Sequence, residues 1–391
     1  MVEKIIVLDG ARTPTGSFGG IFKDVPGHVL GATASKAALE RAHVTGDDIE
    51  EVVMGCIGQV GADAYNARRV AVSAGLPTRV PAFNVNRLCG SGLQAIWSAA
   101  MEMQWNQLDF ALAGGNESMT RMPYYDFSAR QGYRLGDRSL SDGTLMMLTD
   151  PLHGIHMGVT AENVASKYNV SRQEQDEFAV ESQRRAAAPA AQAAFAEEIT
   201  PVTVAGRKPF TAEKDEHPKP ETSMETLAGL RPAFTAGGTV TAGNASGIND
   251  GAAALVLARE SAAAERGLKG LVSLEAVATA AMDPELMGYA PTLALRSLFE
   301  KTGTTPKDIG SIELNEAFAS QAVAVIRDAD LDPAQVNPYG GAIALGHPVG
   351  ATGAILTLRL AKDMARRDLE LGIVTMCIGG GQALAALFRR I

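Results

Sequence analysis

A cysteine in the stretch NVNRLCGSGLQAI, residues 84–96, has the surroundings of a reactive group. Cys89 lies between an extended run and an apolar helical run, and Gly90, Ser91 and Gly92 follow it directly. A helix N-terminus carries partial positive charge and unpaired N–H groups, which stabilise a thiolate. The alternative is a buried packing cysteine, because free cysteines are among the most buried residues. The tight strand-to-helix turn favours a nucleophile, since a packing cysteine gains nothing from it.

Two later motifs contain the other groups that a nucleophilic thiol needs. His347 lies in the glycine-rich segment YGGAIALGHPVGATG, and such permissive backbone commonly approaches a ligand closely. A neutral imidazole there is able to accept the thiol proton of Cys89, although a structural histidine is the alternative. Cys377, in VTMCIGGGQA, ends a β run. It is either a buried strand cysteine or a second reactive thiol that meets Cys89.

Several other polar residues have a structural alternative. Asn315, in ELNEAFASQA, follows a strand and precedes a helix, so it either caps that helix or binds a water near an oxyanion. His153 and His156 have the spacing of a metal pair, but no further cluster of ligands accompanies them, so we expect no metal. Cys56 lacks a Gly-His neighbourhood, and we interpret it as a buried cysteine.

The composition excludes several classes of protein. Of the 391 residues 46% are hydrophobic and 20% charged, which is typical of a globular protein with sizeable cores. The net charge is −9 and no Lys/Arg block occurs, so we expect no nucleic-acid partner. Apolar stretches at 336–359 and 371–388 are broken by polar residues or glycine, so we expect no membrane span. Three cysteines and no signal-peptide pattern predict a cytoplasmic protein.

The elements that position these residues are repeated along the chain. LGATASKAALERAHVTGDDIEEVVMG and APTLALRSLFEKTGTTPKDIGSIELN share a helix, a turn, an Asp-Ile pair and a strand at an offset of 260 residues. LCGSGLQAI and VGATGAILT share a glycine elbow that opens a helix, at an offset of 261. A nearly constant offset over successive elements indicates a duplicated βαβαβ unit.

The repeat predicts an α/β fold with five layers, α/β/α/β/α, in which helices of both halves share the middle layer. We expect parallel sheets with helices on their faces. The N-terminal half covers 1–120 plus 250–270, an inserted loop domain covers 121–249, and the C-terminal half covers 271–391. Within the insert we expect a helix from Ser171 and an exposed loop in KPFTAEKDEHPKPETS. A strand in 247–258 completes the first sheet.

Taken together, these motifs resemble the thiolase family closely. The segments RTPTGSFGG, NRLCGSGLQA, NASGINDGAA, NEAFA, GGAIALGHPVGATG and VTMCIGGGQA look like its signatures, in its order, and span residues 12–386. The resemblance is nearest to tetrameric acetoacetyl-CoA and broad β-ketothiolases. It implies acyl transfer between two CoA thioesters through a covalent intermediate, with no metal and no organic cofactor. The implied reaction is condensation of two acetyl-CoA, or thiolysis of short 3-ketoacyl-CoA.

The resemblance implies a role for each catalytic candidate. Cys89 looks like the nucleophile that forms the acyl thioester, and His347 like its base and an oxyanion donor. Cys377 looks like the acid/base that exchanges the α-proton of acetyl-CoA. Asn315 would hold a water in one oxyanion hole, and the N–H groups of Cys89 and Gly379 would form the other. Enolate chemistry needs both a base and oxyanion donors, which agrees with this set.

The resemblance also implies how CoA thioesters bind. Ser246 would bond the pantetheine amides, and Lys219 would lie near the adenosine phosphates as a point charge. His156 and Met157 would line the thioester end. The apolar wall would consist of Leu148, Phe234, Met287, Ala317 and Phe318.

The implied partners are acetyl-CoA, acyl-CoA and CoA, and the implied assembly is a homotetramer. One alternative is a thiolase of fatty-acid β-oxidation with broader chain-length range. A ketosynthase-like condensing enzyme would need a second histidine in place of Cys377. A non-catalytic acyl-CoA-binding protein would need none of Cys89, His347 and Cys377.

Overall fold

The computed structural model describes residues 3–391 and contains two repeated halves around an inserted segment. The strands of the first half are β1 (Ile5–Arg12), β2 (Gly16–Ser17), β3 (Glu51–Gly55), β4 (Ala82–Val85) and β5 (Phe110–Ser118). Those of the insert are β6 (Tyr124–Tyr125), β7 (Ser141–Asp142), β8 (Thr149–Asp150), β9 (Ile155–His156), β10 (Val202–Val204) and β11 (Phe210–Ala212). The remaining strands are β12 (Asn249–Arg259), β13 (Val272–Ala281), β14 (Ser311–Leu314), β15 (Leu371–Ile378) and β16 (Gln382–Arg390).

The helices follow the same division. The first half contains α1 (Gly27–Ala42), α2 (Asn66–Ser73) and α3 (Ser91–Asn106). The insert contains α4 (Gly143–Met147), α5 (Met157–Lys167), α6 (Arg172–Ala187), α7 (Pro189–Glu198) and α8 (Met224–Ala228). After it come α9 (Glu260–Glu265), α10 (Ala290–Thr302), α11 (Ala319–Asp328), α12 (Ala342–Leu345) and α13 (Thr352–Arg367). Across residues 3–391, none of these helices combines the length and the apolar character that crossing a membrane requires.

The two halves have the same strand order. In the first half the order is β4-β3-β5-β12-β1, and in the second β14-β15-β16-β13. Strands β3 and β14 begin 260 residues apart, and helices α3 and α13 begin 261 residues apart. In the described part of the chain, the sheet continues from one half to the other through two residue pairs between β1 and β13, Ile6 with Ser273 and Val7 with Val272. The predicted duplication is therefore confirmed.

The expectation of purely parallel sheets is wrong, because each half is mixed. Strands β3, β4 and β5 run parallel to one another, as do β14 and β15. Strands β12 and β16 return antiparallel. The reason is the connection: only residues 379–381 separate β15 from β16. A crossover to a parallel strand needs about a dozen residues or more, so this turn permits an antiparallel return alone.

Three apolar clusters show the predicted layers. One packs α1 and α2 against the strands of the first half, and another packs α10 and α11 against those of the second half. The third lies between them, and α3 and α13 contribute to it from opposite halves. This arrangement is the five-layer fold, with α3 and α13 in contact in its middle layer.

The contact between α3 and α13 requires glycine at the start of each helix. A Cβ on Gly92 would lie 2.7 Å from the backbone nitrogen of Ala354, and one on Gly353 would overlap the backbone of Leu93. The preceding Gly90 packs on Ile378 of β15, where a Cβ would lie 2.6 Å from that side chain. The two helix N-termini and the end of β15 therefore meet at one place.

The insert forms short hairpins and helices beside the two halves. Ser171 begins α6 with a capping box, as the sequence predicts. The predicted exposed loop is partly wrong, because Asp215 is buried and receives two hydrogen bonds from Arg12, at 2.7 and 2.9 Å. Arg12 also bonds Glu198 at 2.7 Å, so a buried ion pair ties the insert to β1. The division into domains 1–120 plus 250–270, 121–249 and 271–391 remains a prediction.

We predict that Gly353→Ala lowers the free energy of unfolding by about 1–3 kcal/mol, the usual cost of overpacking a core. In an ordinary helix a Gly→Ala change raises the free energy of unfolding by up to about 1 kcal/mol. The sign of the change in this free energy therefore shows whether helix propensity or packing dominates. Gly229→Ala is the control, because its Cβ would meet only the carbonyl of Thr226 at 3.7 Å. Urea unfolding followed by circular dichroism measures the free energy of unfolding of both variants. Equal stability of the two variants would contradict the close helix contact.

Candidate active site

Cys89 stands at the tip of a rigid turn between β4 and α3. Leu88 has a φ of +48°, a left-handed conformation that is unusual for a residue with a side chain. The Ser91 hydroxyl donates to the Leu88 carbonyl at 2.6 Å and accepts the N–H of Arg87 at 2.9 Å. The N–H of Gly90 donates to the Arg87 carbonyl at 3.0 Å. These bonds hold the partly buried Cys89 directly before the helix.

The free protein holds Cys89 as a thiol. Burial raises its pKa to about 11, although the N–H groups of Gly379 and of Cys89 itself oppose that rise. Desolvation of the charged form is thus the larger effect, and the N–H groups offset only part of it. Gly379 lies beside this elbow, because a Cβ added to it would come within 3.2 Å of the Leu88 side chain.

His347 lies on the buried loop between α12 and α13, and three contacts fix it. Its backbone N–H donates to Asn249 Oδ1 at 2.9 Å. Its Nδ1 lies 2.6 Å from Thr352 Oγ1, and its Nε2 lies 3.4 Å from Asn315 Nδ2. Burial lowers the pKa of His347 to about 4, so the imidazole is neutral at pH 7. A neutral imidazole is a proton acceptor.

Asn315 lies immediately after β14 with its side chain fully buried. It does not cap the following helix, because Phe318 occupies the N-cap position of α11. The Asn315 Oδ1 has no hydrogen-bond partner among residues 3–391. A buried amide oxygen of this kind has the capacity to bind a water. The neighbouring Glu316 carboxylate, in contrast, already accepts hydrogen bonds from the side chains of Ser182 and Asn337.

Cys377 lies near the end of β15 and is fully buried. Burial raises the pKa of its thiol far above the ordinary value, and the neighbouring Cys89 raises it further. An influence of one thiol on the other requires that they lie close together, although they are 288 residues apart in sequence. The elbow of the first half and the strand end of the second half therefore meet, as the repeat predicts.

An apolar wall surrounds Cys377 and contains most of the residues predicted to contact the acyl group. The His156 ring stacks on Phe234 with centroids 5.0 Å apart, and Phe234 meets Phe318 edge-on at 6.0 Å. The insert and the second half thus build this wall jointly. The members predicted from the sequence that share one cluster with Cys377 are Met157, Phe234, Met287, Ala317 and Phe318.

The other predicted CoA-binding residues differ in their surroundings. The N–H of Ser246 donates to the Ala317 carbonyl at 3.0 Å, and the N–H of Met157 donates to the Leu148 carbonyl at 2.8 Å, so both loops join the wall. Lys219 is exposed, and its backbone N–H donates to Gln183 at 2.9 Å. The structure thus leaves the ammonium group of Lys219 at the surface.

The histidine pair of the insert does not form a shared metal site. His156 accepts the N–H of Gly158 at 3.0 Å as the cap of α5. The ring of His153 lies 2.7 Å from the Asp150 carboxylate. Possible metal-ligand atoms lie within 4.8 Å of one another in a separate group, which consists of His153, Asp283 and Glu285. Exposed acidic groups commonly gather in this way without an ion.

Sequence reasoning missed three residues that hold the site together. Thr352 and Asn249 contact His347 directly, and Glu117 accepts the N–H of Gly350 at 3.0 Å beside the same loop. The repeat contains the signal for one of them, because Thr352 falls 261 residues after Ser91, at the start of the equivalent helix. Cys56 is buried 3.7 Å from Glu117, in agreement with its interpretation as a packing cysteine.

Comparison with known proteins identifies the family. The family model "Thiolase, N-terminal domain" matches residues 5–261, and "Thiolase, C-terminal domain" matches residues 268–390. The chain is 48% identical to beta-ketothiolase BktB of Cupriavidus necator and 46% identical to an acetyl-CoA acetyltransferase of Escherichia coli, each over the whole of both chains.

Solved structures agree with these relatives. The acetyl-CoA acetyltransferase of Bacillus anthracis superposes with a TM-score of 0.98 at 40% identity, over 100% of this chain and 99% of that one. Human mitochondrial 3-ketoacyl-CoA thiolase superposes with a TM-score of 0.96 at 38% identity, over the whole of both chains. The fold, the paired thiols and these matches lead to one conclusion: the chain belongs to the thiolase family.

Proposed function

We propose that this protein catalyses reversible acyl transfer between two acyl-CoA thioesters, joining two acetyl-CoA into acetoacetyl-CoA and CoA or cleaving short 3-ketoacyl-CoA. The observation that carries the proposal is the approach of two thiols from opposite halves: Gly90 packs on Ile378, and the Cys89 thiol raises the pKa of Cys377. The buried imidazole of His347 is neutral at pH 7. Binding alone needs none of these groups. Relatives named acetyl-CoA acetyltransferase and beta-ketothiolase support the same activity.

The first half-reaction transfers the acetyl group to Cys89. The sulfur attacks the thioester carbonyl while its proton moves to His347. Because the resting pair is a thiol and a neutral imidazole, the proton leaves the sulfur only as the new C–S bond forms. The CoA thiolate departs and takes a proton from Cys377. The result is an acetyl thioester on Cys89, free CoA, protonated His347 and a Cys377 thiolate.

The second half-reaction forms the carbon–carbon bond. The Cys377 thiolate removes a methyl proton from a second acetyl-CoA, and the carbanion attacks the carbonyl of acetyl-Cys89. The Cys89 thiolate leaves and recovers the proton held by His347, so all protons balance. The raised pKa of Cys377 suits this role, because a thiolate with a high pKa is a strong base for a weakly acidic carbon acid.

Two sets of donors would stabilise the oxyanions. The N–H groups of Cys89 and Gly379, both of which lower the pKa of the Cys89 thiol in the free protein, would bind the oxyanion of the tetrahedral intermediate formed on Cys89. A water held by Asn315, together with protonated His347, would bind the enolate oxygen of the second acetyl-CoA. Preorganised donors of this kind typically contribute about 100- to 1,000-fold each to the rate. None of these steps calls for a metal or an organic cofactor.

We propose that the wall of Met157, Phe234, Met287 and Phe318 favours short acyl chains, because these side chains pack around Cys377. Ser246 would bond the pantetheine amides and Lys219 would contact the phosphates of CoA. Rates with acetoacetyl-CoA and 3-ketohexanoyl-CoA, measured side by side, distinguish this proposal from a broad-range thiolase of β-oxidation.

We also propose that the protein is a homotetramer in the cytoplasm. Free cysteines suit a reducing compartment. The insert exposes large apolar side chains, among them Tyr124, Phe127 and Leu140, which supports contact between subunits. Light scattering of the purified protein measures the subunit number directly.

Incubation with acetyl-CoA should place one acetyl group on the peptide that contains Cys89. Mass spectrometry after rapid acid quenching measures it, since acid preserves the thioester. Cys89→Ala should carry none. Absence of the adduct from the unmodified protein, or an equal adduct on Cys89→Ala, would refute the covalent mechanism.

Cys377→Ala should retain the acetyl adduct on Cys89 but lose condensation by about 100- to 10,000-fold, the usual contribution of a general acid or base. Cys56→Ala is the matched control, because Cys56 is also buried but lies beside Glu117. Formation of acetoacetyl-CoA measures condensation. If condensation survives in Cys377→Ala, the acid/base role is wrong.

Acetylation of Cys89 should be nearly independent of pH between 7.5 and 5.5. The pKa of His347 is lowered to about 4, so the base stays unprotonated across this range and is lost only as the pH falls toward 4. An imidazole with an ordinary pKa of about 6.5 would slow the reaction about 10-fold. Rapid-quench measurement of the acetyl adduct gives the rate at each pH. A 10-fold decrease in this rate between pH 7.5 and 5.5 would show that the pKa of His347 is not lowered.

A further inference from the structure

We infer that Thr352 is a positioning residue that keeps the proton of neutral His347 on Nδ1 and thereby leaves Nε2 as the basic nitrogen. The inference rests on the proposed function, in which His347 accepts the proton of Cys89. Thr352 is the first residue of α13 and is itself buried. Its hydroxyl contacts the His347 ring, so it would act through His347.

The hydrogen bonds of the Thr352 hydroxyl determine the direction of each proton. Oγ1 has a single proton and lies 3.0 Å from the carbonyl of Pro348, which can only accept. Threonine hydroxyls commonly donate to the carbonyl four residues earlier, which here is that of Pro348. The 2.6 Å contact with His347 Nδ1 then requires that Nδ1 carries the hydrogen and Oγ1 accepts it.

The other side of the ring agrees with this assignment. Asn315 Nδ2 lies 3.4 Å from His347 Nε2, and an amide nitrogen can only donate. Nε2 must therefore present its lone pair. The two contacts, made by residues from different elements, select the same tautomer.

The opposite tautomer needs two changes at once. The Thr352 hydroxyl would have to turn from Pro348 to donate to Nδ1, and the Asn315 side chain would have to turn its oxygen toward a protonated Nε2. Amide orientation and tautomer are inferred from hydrogen bonds, so a direct measurement is needed to separate the two arrangements. Only the arrangement with the proton on Nδ1 leaves a basic nitrogen on the side of the ring that faces Asn315.

Burial makes the tautomer important. Because His347 stays neutral at pH 7, only one ring nitrogen is basic, and a proton on Nε2 would leave the basic nitrogen facing Thr352 instead of Asn315. A histidine base oriented by a third group is a general arrangement in nucleophilic catalysis. In such arrangements the third group is often a carboxylate; here it is a hydroxyl anchored on a carbonyl.

The repeat indicates that this contact is specific to the second half. Ser91 is the counterpart of Thr352, 261 residues earlier, but its hydroxyl bonds Leu88 and Arg87 within its own elbow. The same register pairs Cys89 with Gly350 and Asn86 with His347. The first elbow thus carries the nucleophile, whereas the second uses its hydroxyl to hold the base.

Thr352→Val, which keeps the shape and removes the hydroxyl, should slow acetylation of Cys89 about 10- to 100-fold, the range for leaving one buried donor unpaired. The KM for acetyl-CoA should stay unchanged, because the Thr352 hydroxyl contacts His347 and the Pro348 carbonyl and would affect only the base. Thr352→Ser should restore the rate. Thr357→Val is the matched control, since the buried Thr357 hydroxyl donates to the Gly353 carbonyl at 2.7 Å in the same helix without a histidine.

Nitrogen NMR of protein labelled with ¹⁵N-histidine reads the tautomer without any turnover. His347→Asn identifies the resonances of His347 among the six histidines. The unmodified protein should show a protonated Nδ1 and an unprotonated Nε2, and Thr352→Val should lose this pattern. A protonated Nε2 in the unmodified protein, or a rate for Thr352→Val equal to that of Thr357→Val, would overturn the inference. Because the spectrum needs no reaction, failure of the proposed function would appear separately, as absence of the Cys89 adduct.

Discussion

The N-termini of α3 and α13 touch with no side chain between them, because Gly92 and Gly353 occupy the contact. This approach brings the last turn before each helix to the same place in the middle layer. Cys89 precedes one helix and the His347 loop precedes the other, while Gly90 packs on the end of β15 beside Cys377. The glycine contact is therefore what unites chemistry that the duplicated chain divides between its two halves.

Desolvation sets the character of this site. It raises the pKa of both thiols and lowers that of His347, so the free protein holds three neutral groups where charges will form. A helix N-terminus does not reverse this for Cys89, because its N–H groups offset only part of the burial cost. The same low-polarity surroundings strengthen each N–H that faces a developing negative charge. The site thus favours ionisation during bond formation rather than before it.

Much of the fold and of the candidate site could be predicted from the sequence, because both depend on repeated local patterns. The offset of 260–261 residues predicts two equivalent halves, and glycine-rich turns mark Cys89, His347 and Cys377. Features that depend on distant partners could not be predicted. Asp215 is in a charged, proline-rich segment that reads as a loop, yet Arg12, 203 residues earlier, buries it. The antiparallel return of β16 and the raised pKa of Cys89 also depend on packing, which local patterns do not contain.

In the proposed mechanism one thiol carries the acyl group while the other moves the proton on carbon, and proton NMR of acetyl-CoA in D₂O separates these roles. In that mechanism Cys377 becomes a thiolate only when Cys89 is acetylated, so exchange of the methyl protons needs an acetylated protein with Cys377 in place. We expect deuterium to enter the methyl group in the presence of the unmodified protein or of Cys56→Ala, but not of Cys377→Ala that carries the acetyl group on Cys89. Methyl exchange by acetylated Cys377→Ala at the rate of the unmodified protein would contradict the division of roles between the two cysteines.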